Sequence, residues 1–500
     1  MSKAAIRNPE APALIGERVV TYGELMRSVL TAAKRLAIVG VAPGDVIGVA
    51  SGRSDRAPII ALAIMRAGAV YLPLDPLYPD PLLAHMIESA SATTVIVDTG
   101  SGGRIPAEAQ TVLDADALLA RAPTRRQLPE LTPCGAAYAM FTSGSTGMPK
   151  GVLLGQAGLA QYAQALPARV GLREDDRCLG MAPLGFSSSI RQLLLPLTRG
   201  ASVIVPGEEQ IRLPWGLTDL IREHQVTHLD LTPSYWRAVL DGMPDDEVGE
   251  ALVSLRRLLF ASEPLDAELA HRTRNLAPHA RVWNMYGCTE TTGIVAAYEV
   301  TGAEAPDAAI PIGTALEHVS IDVQQRPHAS DAPMAPGGEM VVTGSAVAMG
   351  YLEGAGAPAW RPDDGGGCAI RGCVTGDQVV AVGRDLVWNG RTDRVLKVRG
   401  MRVSPETVEH RLVTYPGIRR AAVVTATERG VVCVVEHAAR TPPPDHCQVI
   451  AWLRFLLPSH MVPATITAIS AWPVLPNGKT DYQKLIARYG SHAAAPHTLQ

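Results

Sequence analysis

Lysine is scarce in this chain: Lys3, Lys34, Lys150, Lys397, Lys479 and Lys484 are the only six among 45 basic residues. Where a positive charge is enough the sequence uses arginine. Lysine offers a compact, mobile point charge that a guanidinium cannot imitate, so Lys150, Lys397 and Lys479, all in glycine-rich surroundings, become candidates for chemistry. Cysteine is also sparse. The seven residues (Cys134, Cys178, Cys288, Cys368, Cys373, Cys433 and Cys447) are odd in number and lack metal-ligand spacing. That pattern reads as free thiols in a reducing cytoplasm. There is no basic surplus, and a net charge of −4 excludes nucleic acid as the main partner. Met1 to Arg7 lacks the apolar core of a signal peptide. The most apolar stretch, Pro58 to Leu74, is interrupted by Arg66 and reads as a buried helix followed by a strand, not a membrane span. A cytoplasmic, soluble protein with no membrane partner is expected.

What is present points to an α/β protein of more than one domain, since 500 residues exceed an ordinary single core. Thr21-Tyr22-Gly23-Glu24 opens a helix, Asp45 to Ala50 reads as a strand, and Ala57 to Ala67 as a helix. Ala69 to Leu74 is a strand closed by prolines. Such alternation means sheets covered by helices, and it resumes from Tyr138 to about Val300. Between Ile310 and Asp393 short strands with glycine-rich turns suggest a β-rich subdomain. After Arg394 a small α+β pattern begins, with strand-turn-strand to Val403, a helix from Pro405 to Thr414 and strands near Ala421 and Val431. The expected division is residues 1–392 as a large N-terminal domain, 393–489 as a small mobile C-terminal domain, and 490–500 as a disordered tail.

The segment Ala139-Met140-Phe141-Thr142-Ser143-Gly144-Ser145-Thr146-Gly147-Met148-Pro149-Lys150-Gly151 is an apolar strand, a loop of Ser, Thr and Gly, and then Pro-Lys-Gly. Small residues let backbone N–H groups turn inward as an anion nest, and the hydroxyls add donors. Lys150 can reach the outer phosphates of a nucleotide. It is not a Walker loop, because Pro149 stands where glycine is required and Lys150 is followed by Gly151.

This loop resembles the signature of the acyl-CoA synthetase, nonribosomal-peptide adenylation domain and luciferase superfamily. The resemblance continues in order through Tyr71-Leu72-Pro73-Leu74-Asp75-Pro76, Asn284-Met285-Tyr286-Gly287-Cys288-Thr289-Glu290, Gly338 to Tyr351, Thr375-Gly376-Asp377, Gly390 to Gly400, and Pro476-Asn477-Gly478-Lys479. Cys288 stands in the usual proline place. The resemblance implies a two-step ligase that activates a carboxylic acid with ATP and Mg²⁺ as acyl-AMP, then transfers it to a thiol. It implies that Thr142, Ser143, Gly144, Ser145, Thr146, Gly147 and Lys150 hold the leaving pyrophosphate. Ser262, Glu263, Pro264, Asn284, Met285, Tyr286 and Gly287 would surround adenine, Thr289 would meet the α-phosphate, and Asp377 with Arg391 the ribose. Glu290 supplies the carboxylate oxygen that Mg²⁺ prefers. Lys479 is implied to be the catalytic lysine that screens two anions as they meet, Asp393 the hinge, and Lys397 with Gly400 the hairpin of the thiolation step.

One departure bears on the acid. Where α-amino-acid adenylation domains carry an aspartate after phenylalanine, this chain has Phe186-Ser187. An aspartate stands instead at Asp230, within the apolar strand Val226 to Leu231. A buried aspartate must be paired or protonated. It is either satisfied by neighbouring hydroxyls such as Thr227 or Thr232, or it binds an ammonium displaced by about one bond, ~1.5 Å. The second reading is similar to the free-standing β-amino-acid adenylating enzymes of macrolactam polyketide pathways. It implies a small β-amino acid as substrate and a discrete acyl carrier protein as partner. Leu220, Met285, Gly293 and Ile294 are the other expected pocket walls. Leu220 is either a cap on the pocket or plain core, and Gly293 leaves space. The alternative within the class is an aryl or aliphatic acid ligase with CoA as acceptor. Outside it stands a non-catalytic nucleotide-binding relative, which retention of Lys479 and Glu290 argues against.

Overall fold

A computed structural model of the chain describes residues 2–120, 127–132, 134–142, 149–305, 309–325, 337–352, 360–361, 371–391, 396–427, 430–437, 445–469, 471–473 and 480–490. The chain divides into two compact units, residues 1–76, 87–141 and 151–392 in the first, and 77–86, 142–150 and 393–500 in the second. The expected helix at Tyr22–Ile38 forms with a complete capping box, in which Thr21 and Glu24 each accept from the other's backbone N–H. This satisfies two donors that a helix start otherwise leaves orphaned. The strands Val46–Ala50 and Val70–Leu74 and the helix Arg56–Arg66 also stand where the pattern placed them.

The first unit is built on two large sheets. One has seven strands, with Val46–Ala50 and Val70–Leu74 parallel near its centre. The other has nine and carries most of the elements that matter for chemistry. We label these α1 (Gln156–Val170), β1 (Arg177–Leu179), α2 (Ser187–Leu193), β2 (His228–Leu231), β3 (Arg257–Phe260), β4 (Arg281–Cys288) and β5 (Gly293–Glu299). Strands β1, β2, β3 and β4 lie side by side and parallel, and β5 returns antiparallel to β4. β2 and β3 are buried along their whole length, as a parallel sheet covered on both faces requires. A further antiparallel sheet contains β6 (Arg371–Val382) and β7 (Asp385–Arg391), in the region expected to be β-rich.

Within the second unit, Leu396–Val398 and Met401–Val403 form a hairpin in which Lys397 faces Arg402 across the ladder. Arg399 and Gly400 both have positive φ, 49° and 77°, as a two-residue type I′ turn demands. The helix Pro405–Val413 follows, capped by Ser404, and then the paired strands Ile418–Thr427 and Gly430–His437.

Two details qualify the sequence reading. Cys134 is disulfide-bonded, so the expectation of seven free thiols does not hold; scattered spacing carries no information about which residues the fold brings together. Among the described residues, Cys178, Cys288, Cys373, Cys433 and Cys447 carry no disulfide. Among the described residues no helix is long and apolar enough to cross a membrane.

Candidate active site

Hairpin β4–β5 is a wall with two faces. Side chains alternate along a strand, so Met285 and Ile294 join the core cluster that also holds Tyr162 and Ile190. Tyr286 and its partner Ala296 point into a different cluster, with Met340 and Val379, and Val295, the extra residue at the register shift opposite Tyr286–Gly287, joins them. Met285, expected to touch both nucleotide and acid, is thus on the opposite face of its strand from Tyr286. Gly287 is required by the closeness of β5: a Cβ there would stand 2.0 Å from the Gly293 carbonyl oxygen. The ladder is irregular between Tyr286 and Gly287, which turns the chain toward Thr289 and Glu290.

On the Tyr286 face the carboxylate of Asp377 is the focus. One oxygen accepts from the Tyr286 hydroxyl and from Arg391 Nη1 at 2.7 Å, and the other from Trp388 Nε1 at 2.8 Å. Asp377 and Arg391 are directly opposed on β6 and β7, where opposite charges support a ladder. Burial, reinforced by the Asp377 charge, holds the Tyr286 phenol well above its ordinary range, so it stays a hydrogen-bond donor. Trp388 was not anticipated; its register opposite Val379 becomes visible only once β6 and β7 are paired.

Asn284 donates its amide to the carbonyls of Ile310 and Pro311, at 3.3 and 2.8 Å, so it ties β4 to the following segment. Ser262 adopts a left-handed φ of 74°, uncommon for a residue other than glycine, and so turns the chain sharply after β3. Glu263 accepts from the backbone N–H and hydroxyl of Ser234. Pro264 is exposed. Glu290 is buried at 7% exposure, with one carboxylate oxygen 3.4 Å from the Tyr351 hydroxyl. Among the described residues no three His, Cys, Asp or Glu side chains cluster as a metal cage. One buried hard-oxygen donor suits Mg²⁺, which keeps several waters and takes its remaining ligands from substrate phosphates.

The opposite face holds the candidate acid site. The Ser187 hydroxyl lies 3.2 Å from that of Thr289, so the residue replacing the usual aspartate stands beside the one expected at the α-phosphate. Phe186, half-buried, precedes α2 in extended conformation. Asp230 is 4% exposed, and its partner is neither Thr227 nor Thr232. Arg191, 8% exposed, binds both carboxylate oxygens, Nε to one at 2.6 Å and Nη2 to the other at 2.9 Å. Burial alone would lower the Arg191 pKa, but the Asp230 charge and hydrogen bonds outweigh it and raise it. The next residue, Gln192, donates to the Asp230 carbonyl and accepts from the N–H groups of Met181 and Ala182. Tyr162 on α1 completes the network. Its hydroxyl accepts from Ile294 N–H at 3.2 Å, burial raises its pKa against the opposing pull of the Arg191 charge, and its ring stacks on His318.

One expected wall is corrected, and the open alternative at Leu220 resolves to core. Gly293 does not leave open space, because a Cβ there would meet the Tyr162 hydroxyl at 2.7 Å. Leu220 is core: it is 2% exposed and packs in the cluster of Leu217, Ile221, Leu229 and Leu231, on the face of β2 away from Asp230. Arg191 was missed because a basic residue in a short helix beside serines has no periodic signal. The matching charge on Asp230, in a chain segment 39 positions away, was its only trace.

Thr142 ends one strand and Lys150 opens another, both half-buried. The loop residues Ser143, Gly144, Ser145, Thr146 and Gly147 lie outside the described residues, as do Asp393 and Lys479. Lys397 is exposed on its hairpin and Gly400 forms the turn.

The AMP-binding enzyme family matches residues 1–352. A probable non-canonical nonribosomal peptide synthetase from Salinispora arenicola, CymA, is 34% identical over 97% of this chain, which spans 6% of that protein's length. An artificially fused adenylation–PCP di-domain, NpsA-ThdA from Klebsiella oxytoca, has a TM-score of 0.81 at 24% identity, covering 93% of this chain and 92% of that one. The amide bond synthetase McbA from Marinactinospora thermotolerans has a TM-score of 0.82 at 22% identity, covering 97% and 99%. The chain therefore belongs to the AMP-binding enzyme family. It is an AMP-forming ligase that adenylates acids with ATP, built like the adenylation domains of nonribosomal peptide synthetases.

Proposed function

We propose that this ligase activates a small carboxylic acid lacking an α-amino group and passes it to the pantetheine thiol of a separate carrier protein. The observation that carries this reading is the Ser187–Thr289 contact. An α-ammonium held beside the reacting carboxylate needs a charged acceptor there, because an unpaired buried cation is costly, and Ser187 offers only a hydroxyl. In the first step a carboxylate oxygen attacks the α-phosphorus and pyrophosphate leaves. Lys150 and the Thr142 to Gly147 loop would hold the departing phosphates, and Lys479 would offset the charge that builds up between the two anions. Asp377 and Arg391 would hold the ribose, and Mg²⁺, held through Glu290, would neutralise phosphate charge. In the second step the thiolate attacks the acyl carbon and AMP leaves, after a rotation at Asp393 brings in the Lys397 to Gly400 hairpin. The fused adenylation–PCP relative supports a carrier as acceptor.

The acid itself is proposed to be a small β-amino acid, with its ammonium on Asp230. Asp230 is buried and paired with Arg191, and each carboxylate oxygen retains a second lone pair. The bidentate Arg191 contact favours a second reading, an amine-free aryl or aliphatic acid, because the guanidinium already neutralises Asp230 and repels another cation nearby. ATP–pyrophosphate exchange with α-amino, β-amino and amine-free acids, followed by loading of a carrier protein or CoA, separates these readings. Exchange driven best by α-amino acids would overturn the proposal.

A further inference from the structure

We propose that Asp377 reads one ribose hydroxyl of the nucleotide and not the pair, because Tyr286, Arg391 and Trp388 already occupy the rest of its carboxylate. This rests on the reading of Asp377 as the ribose anchor. An ionised carboxylate offers about four acceptor positions, two on each oxygen. On one Asp377 oxygen both are taken, by the Tyr286 hydroxyl and by Arg391 Nη1 at 2.7 Å. On the other, Trp388 Nε1 takes one at 2.8 Å, which leaves a single open position. A cis-diol held in the bidentate manner needs one position on each oxygen. The Tyr286 hydroxyl, which shares its oxygen with a charged guanidinium, is the group that stands in the way.

The backbone holds this arrangement in place. The ladder between β6 and the strand Gly338–Gly344 is broken between Val374 and Gln378, so Thr375, Gly376 and Asp377 together stand opposite Met340. Gly376 has a φ of 76°, and a bulge of this kind re-aims the side chain beside it. The Thr375 hydroxyl accepts from Asp377 N–H at 3.2 Å and donates to the Met340 carbonyl at 2.9 Å. Arg391 Nη2 donates to the Thr375 carbonyl at 3.0 Å, so Arg391 grips both the carboxylate and the turn behind it. Asp377 is 3% exposed and Tyr286 7%, which leaves neither side chain room to turn away into water. Burial and the Asp377 charge keep the Tyr286 phenol protonated, so its donation persists wherever the carboxylate is ionised. One side chain thus has two tasks: its ring belongs to the wall, and its hydroxyl limits what Asp377 can accept.

The test compares ATP, 2′-deoxy-ATP and 3′-deoxy-ATP in pyrophosphate exchange, with the acid that drives exchange best, on the native protein and on Tyr286→Phe. In the native protein one analogue should raise the nucleotide KM by roughly ten- to a hundredfold, the worth of a hydrogen bond to a charged acceptor, and the other by less than about threefold. Tyr286→Phe keeps the ring and frees a position on the first oxygen. The analogue that the native protein tolerates should then lose roughly tenfold against ATP. Weakened packing alone would move ATP and both analogues together, so the ratio between nucleotides is the readout. Comparable losses with both analogues in the native protein overturn the one-hydroxyl limit and leave Asp377 on the ribose. No loss with either analogue overturns the limit together with the ribose reading. An unchanged ratio in Tyr286→Phe overturns the part given to the Tyr286 hydroxyl. Should that variant fail to fold, the two analogues on the native protein still decide the limit.

Discussion

The two faces of hairpin β4–β5 follow one strand alternation and yet differ in how their polar groups are arranged. On the Tyr286 face, Asp377 gathers donors from Tyr286, Arg391 and Trp388, all groups that a ribose and adenine could displace or join. On the Met285 face, Asp230 is locked to a single guanidinium, and the nearby Tyr162 hydroxyl is taken up by the β5 backbone. With the nucleotide on the first face and the acid on the second, as proposed, the acid would meet polar groups that are already paired with one another.

The largest expected effect tests the side of the comparison that the reaction shares with its family. Lys479→Ala should reduce acyl-AMP formation by roughly 10³-fold with the fold intact, measured by pyrophosphate exchange and by the thermal transition. Near-normal exchange would remove Lys479 from the first step. Asp230→Asn tests the other side. Breaking a buried pair from one partner costs roughly 3–5 kcal/mol, so the melting temperature should fall. For β-amino acids kcat/KM should drop by about two to three and a half decades at 1.4 kcal/mol per decade, while the deaminated analogues should suffer far less. Equal losses on both series would make Asp230 a structural residue and favour the amine-free reading.

Asp377→Asn should raise the KM for ATP by one to two orders of magnitude, about the worth of charge-assisted hydrogen bonds lost at ~1.5–3 kcal/mol. The acid's KM should stay near native. A matching rise for both substrates would mean that the two faces are not separate.

How much of this was legible in the sequence follows the same division. Thr21 and Glu24, Val46–Ala50, Val70–Leu74 and the Lys397 hairpin were readable because capping, periodicity and turn chemistry are local. That Asp377 and Arg391 stand together was readable through motif order. Arg191, Tyr162 and Trp388 were not, since their roles depend on elements far apart in the chain meeting across a sheet. Leu220 was left open between cap and core, and Gly293 was misjudged, for a related reason: which face of β2 a leucine packs against, and whose side chain fills a glycine's missing Cβ, are tertiary facts.

The last expected effect is on pH and is read on stability alone. Burial lowers the pKa of both His228 and His318 from 6.5 to about 4. Between those values the unfolded chain binds protons that the native chain does not, so stability is full above pH 6.5 and falls as pH drops toward 4. Each imidazole contributes at most about 3 kcal/mol to that loss. His318→Phe, which keeps a ring against Tyr162, should flatten the decline in melting temperature. An unchanged slope would show that His318 is not held neutral.

The central claim is that this ligase activates an acid without an α-amine. ATP–pyrophosphate exchange with matched α-amino, β-amino and unsubstituted short-chain acids tests it most directly. The account predicts exchange with one or both of the latter series and little with any α-amino acid. Robust exchange with an α-amino acid, unaffected by Asp230→Asn, would contradict it.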